Sequence, residues 1–142
     1  MNNYETLFVI KPTLTDEETT AQIAKVTAIL EREGAEILAI DNMGMRKLAY
    51  PVQKNKRGLY TIIYFKAAGT IINELERNLK FNEEVIKYLT VRYSNTKEVA
   101  QFKKLVTAAT KIEEATKAEE TAKAEEAPEA EAPTTTTETV EA

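Results

Sequence analysis

The chain has 142 residues, a formal net charge of −4, and no cysteine, histidine or tryptophan. A disulfide framework is excluded, as is a zinc site built on thiolate or imidazole. Nucleophilic catalysis is left with one serine, Ser94, and no imidazole base. The sequence opens with no charged-then-apolar leader, and no apolar run nears bilayer-spanning length. A cytoplasmic protein without membrane contact is the expectation.

The first strand is read at Tyr4 to Ile10, with Tyr4, Thr6, Phe8 and Ile10 on one face and Glu5, Leu7 and Val9 on the other. After Lys11-Pro12-Thr13-Leu14, the run Thr15-Asp16-Glu17-Glu18 has the spacing of a capping box, and its acids suit a helix N-terminus. Ile23, Val26 and Leu30 mark the buried stripe, Ile29 its margin, and Gly34 a left-handed C-terminal cap. A second strand is expected from Ala35 to Met45, with a bulge where Asp41-Asn42 meets Gly44.

From Asn42 to Asn73 there is no Asp or Glu, while Arg46, Lys47, Lys54, Lys56, Arg57 and Lys66 all fall there. Pro51 argues for an edge strand or a bend, and Gln53 to Gly58 reads as a hairpin loop. Such a tip offers cations to phosphates, although a solubilising loop would look the same on charge alone. Leu59 to Phe65 is apolar on both faces and should be a central strand. Gly69-Thr70 opens a second helix with Ile71, Ile72, Leu75 and Leu79 as its stripe, and the last strand is Val85 to Tyr93. The order βαββαβ with right-handed crossovers predicts an α+β, ferredoxin-like split βαβ sandwich: a four-stranded antiparallel sheet with both helices on one face.

Beyond residue 93 the composition changes. Residues 1–93 carry 13 Lys and Arg against 12 Asp and Glu, a charge of +1, whereas residues 94–142 carry 6 Lys against 11 Glu, a charge of −5. The spacing of Val99, Phe102, Leu105, Val106 and Ile112 predicts an amphipathic helical extension over 94–112. After Ile112 the only large apolar residue is Val140, so 113–142 is expected to be a disordered acidic tail with at most partial helix.

Enzyme chemistry finds little support. The carboxylate pairs Glu17/Glu18 and Glu83/Glu84 sit at element ends, where capping and solvation account for them, and no Gly-rich loop follows a strand. The strand order is shared with RNA-recognition modules. However, the run Arg57-Gly58-Leu59-Tyr60-Thr61-Ile62-Ile63-Tyr64 has Leu59 and Thr61 where base-stacking rings belong, with Tyr60 and Tyr64 expected in the core. A small-molecule sensor of this topology wants glycines in the first strand-helix loop, and there are none.

The run Gly44-x-Arg46-x-Leu48-Ala49-Tyr50-x-Val52 resembles the signature of the sixth protein of the bacterial small ribosomal subunit. Tyr4-Glu5, Pro12 and the Lys56 to Tyr60 segment are similar to that family too, so the resemblance spans residues 1–93. Val52 stands where Ile is expected. The C-terminus Val140-Glu141-Ala142 is not the glutamate end that some members extend. The resemblance implies a non-catalytic component, without cofactor or metal. It would bind small-subunit ribosomal RNA together with a basic partner, the eighteenth protein of that subunit. A stand-alone RNA-binding module of the same topology is the alternative. Candidate phosphate contacts are Lys54, Lys56 and Arg57, then Arg46, Lys47 and Arg92; candidate partner contacts on the open sheet face are Leu7, Val9, Leu59 and Ile63.

Overall fold

The computed structural model describes residues 1–125. Its elements run β1 (Asn2–Ile10), α1 (Asp16–Arg32), β2 (Glu36–Val52), β3 (Asn55–Ala67), α2 (Gly69–Phe81), β4 (Val85–Tyr93) and α3 (Thr96–Glu125). The capping box forms at α1: the Glu18 amide donates to Thr15 Oγ1 at 3.3 Å, and the Thr15 amide donates to Glu18 Oε2 at 2.9 Å. At the other end Gly34 takes φ +82°, and the Gly34 and Ala35 amides donate back to the carbonyls of Glu31 and Leu30. Those two bonds satisfy carbonyls that the helix end would otherwise leave open.

The sheet is antiparallel with order β2-β3-β1-β4, as a ferredoxin-like sandwich requires, and β3 is central. α1 and α2 cover one face. There Phe8, Ile10, Ile63 and Phe65 meet Val26, Leu30, Leu75 and Leu79, all essentially buried.

Two of the expected partner residues belong to this core. A strand that is apolar on both faces does not reveal by alternation which face meets the helices; its pairing register does. Here Thr6 lies opposite Ile63, Phe8 opposite Thr61 and Ile10 opposite Leu59. Ile63 is therefore fully buried, and Leu59 packs against the same cluster. The residues of β3 that share the open face with Leu7 are Tyr60, Ile62 and Tyr64.

α3 crosses that open face. Phe102 and Ala109, each 1% exposed, sit with Tyr64 and Ala39, and Leu38, Ile62, Tyr93, Leu105 and Val106 pack around them. The Phe102 ring meets Tyr64 edge-on at 5.8 Å and Tyr93 at 5.1 Å. The helix runs from Thr96 past Ile112 to Glu125, so it takes in residues 113–125 that were expected in the disordered tail. The Ala, Glu and Lys that make 113–125 too polar for a core are strong helix formers. The disorder expected beyond Glu125 lies outside the described residues.

Candidate nucleic-acid interface

β2 and β3 are longer than the strands beside them. The last β3 residue paired with β1 is Leu59, so residues 46–58 of the hairpin continue past the sheet as a two-stranded arm. The tip is not the six-residue loop read from the sequence. It is a two-residue turn, Gln53-Lys54, with φ +48° and +64°. Positive φ at both central residues matches strand twist as a type I′ turn does, but these residues carry no Gly or Asn signal for it.

Two irregularities shape the arm. At the expected bulge, Gly44 takes φ +76° and its amide donates to Asn42 Oδ1 at 3.1 Å. Farther out, Lys47 pairs with Arg57 and Val52 with Asn55, so Leu48 to Pro51 form a wide bulge on the edge strand. Pro51 is tolerated there because no ladder hydrogen bond needs its nitrogen. Gly58 serves close packing, not the turn: a Cβ there would run into the Val9 side chain.

The bulge reaches to the far edge strand. Lys87 Nζ on β4 donates to the Tyr50 hydroxyl at 2.6 Å and lies 5.1 Å from the centroid of that ring. This hydrogen bond raises the Lys87 ammonium above the ordinary lysine range. Beneath the contact is an apolar cleft of about 250 Å³ lined by Leu7, Val9, Leu48, Tyr60 and Leu89. Leu89 and Tyr50 are each 58% exposed.

Arg46, Lys47, Lys54, Lys56 and Arg57 are all exposed along the arm. None makes an ion pair within the described residues. Arg92 does not join them: it pairs with Tyr4, at the end of β1 opposite the arm, and its Nη2 donates to Asn2 Oδ1 at 3.4 Å. Of the partner candidates, Leu7 is half-buried at the cleft, and Val9 is only 4% exposed because the arm's base closes over it. Leu48, Lys87 and Leu89 were not among the candidates that the sequence offered, and Tyr60, expected in the core, lines the cleft instead. The bulge that brings Leu48 and Tyr50 across leaves no trace in periodicity; Leu89, facing Leu7 across the β1–β4 ladder, was available from strand alternation. Leu59 and Thr61, the ring positions of the RNA-recognition signature, face the α1/α2 side, so base stacking there is sterically closed.

On the covered half of the face, burial and then the Glu5 carboxylate push the Tyr93 hydroxyl well above the ordinary tyrosine range. Burial, then Glu5 and Asp41, push Tyr64 up as well. No group of three or more acidic side chains able to hold a metal ion occurs among the described residues.

Residues 3–92 match the family model of ribosomal protein S6. The chain is similar to small ribosomal subunit protein bS6 of Sulfurovum sp. (strain NBC37-1), with 65% identity over 114 residues, 80% of this chain and 90% of the relative. It is 46% identical over 112 residues to the bS6 of a Nitratiruptor species, covering 79% of this chain and 88% of that one. Among solved structures, 30S ribosomal protein S6 of Thermotoga maritima superposes with TM-score 0.65 at 32% identity, covering 73% of this chain and 96% of that one. The match spans the βαββαβ body from within β1 to within β4, the arm included, and the chain belongs to the ribosomal protein S6 family.

Proposed function

We propose that the chain binds small-subunit ribosomal RNA through the β2–β3 arm, as a heterodimer with a basic ribosomal protein, the eighteenth of that subunit. Family membership makes it a structural part of the ribosome in the cytoplasm and not an enzyme. The observation that carries the RNA reading is the arm itself. Five exposed cations, without counter-ions among the described residues, stand on a two-stranded projection beyond the sheet, a surface that neutralises phosphates. Lys87 adds a sixth at its base.

The partner reading rests on the cleft and on charge. Half of the open face is covered by α3; the half beside the arm keeps Leu89 and Tyr50 exposed around an apolar cleft. Exposed apolar surface of this kind marks a protein contact. A body of net charge +1 neutralises few phosphates by itself, so a basic partner both covers the cleft and supplies charge. Coupling between the two binding events then makes assembly cooperative.

The test is a titration of the ribosomal RNA with this chain alone, the basic partner alone, and both. Weak binding by this chain and a mixture stronger than the sum of its parts are expected. Tight, specific binding by this chain alone, or a mixture that is merely additive, would overturn the heterodimer.

A further inference from the structure

α3 carries two unlike halves, and the first has a side that the body does not use. Phe102 and Ala109 point into the open face of the sheet. Lys97, Lys104 and Lys111 recur at seven-residue spacing on the opposite side of the same helix, all exposed, with Lys103 exposed beside them. Seven residues are about two turns, so the three lysines form one row about 21 Å long.

A row of helix lysines is ordinary where acids are interspersed to hold them. That is the pattern farther along, where Lys117 pairs with Glu113 at 3.7 Å. It is absent before Ile112. The one acid between Thr96 and Ile112 is Glu98, and its carboxylate accepts from the Ser94 and Asn95 amides at 3.0 Å each and from Asn95 Nδ2 at 2.9 Å. None of the four lysines makes an ion pair among the described residues. The helix beneath them is fixed by fully buried Phe102 and Ala109, so the charges stand on a rigid mount.

We infer that this face of α3 is a second phosphate-binding surface, and that its occupant is the backbone of a ribosomal RNA strand. Charge complementarity chooses the class, and geometry narrows it. A small anion needs cations that converge on a point, whereas a straight row of separated cations fits a polyanion. The contact is confined to the first half of the helix, because residues 113–142 carry ten Glu against two Lys and repel phosphate. α3 lies past residue 92, where the S6 family match ends, so this surface is additional to the arm.

The inference rests on the RNA-binding reading, and one experiment separates the two. In the full chain with the basic partner present, Lys97→Gln, Lys104→Gln and Lys111→Gln are combined, and binding to small-subunit ribosomal RNA is measured across salt beside the wild type and an arm variant, Lys54→Ala, Lys56→Ala, Arg57→Ala. The α3 variant should lower the log-log salt slope by about 2 to 2.7, at roughly 0.7 to 0.9 per lost phosphate contact, with the melting temperature unchanged. An unchanged slope in the α3 variant beside a reduced one in the arm variant would overturn this inference and leave the arm reading intact. A wild type that does not bind ribosomal RNA at all would overturn both.

Discussion

The two faces of one sheet do different work, although both are rich in apolar side chains. The face under α1 and α2 is closed: Phe8, Ile10, Ile63 and Phe65 are all fully buried. The other face is divided. α3 seals the part around Tyr64, while the part beside the arm keeps a cleft with exposed Leu89 and Tyr50. Apolar content alone therefore does not separate a closed face from an open one. What separates them is whether the chain has an element of its own to lay across the surface.

The largest expected effect breaks the closed face. Ile63→Asp puts a charge among side chains that offer it no partner, and the body should fail to fold by circular dichroism. A folded Ile63→Asp protein would mean that β3 presents its other face to the helices. Next comes the sealed part of the open face. Phe102→Ala should cost about 3 kcal/mol or more, the usual loss for a buried aromatic ring. The loss should appear as faster amide exchange in α3, with the β1 and β3 amides still protected, because α3 packs on the sheet from outside the α1/α2 core.

The same seal should weaken in alkali. Tyr93 and Tyr64 have hydroxyls raised above their unfolded value of 10.0, so folding favours their neutral form. That stabilisation is fully present below pH 10 and is lost as pH rises above it. Near-ultraviolet circular dichroism of these rings against pH should show α3 loosening above pH 10, and Tyr93→Phe should shrink the change. The smallest effect on stability belongs to the open cleft. Leu89→Asp should alter unfolding free energy by about 0.5 kcal/mol or less, as exposed substitutions do. It should nonetheless remove the partner's enhancement of RNA binding. A large stability loss would place Leu89 in the core instead.

Much of this division was legible in the sequence, for identifiable reasons. Thr15, Glu18 and Gly34 carry local hydrogen-bond chemistry, and the helix limits followed from them. Gly44 beside Asn42 signalled its bulge in the same way. The face assignment of Leu59 and Ile63 was not legible, because alternation in a doubly apolar strand is symmetric and only pairing with β1 breaks the symmetry. The turn at Gln53-Lys54 was hidden because neither residue favours positive φ. The arm's cations were legible as a cluster by charge alone, but charge does not distinguish Arg92 from them; only the register puts it at the other end of β1.

The most direct measurement is a lysine-acetylation footprint of the chain, free and in the complex with ribosomal RNA and the basic partner. Lysines on both sides of the molecule make each face its own control. Lys47, Lys54, Lys56 and Lys87 belong to the arm and its base, while Lys25 and Lys80 are exposed on α1 and α2. The arm lysines should become protected in the complex, with Lys25 and Lys80 reacting as they do in the free chain. Protection of Lys25 and Lys80 with the arm lysines unchanged would contradict the account.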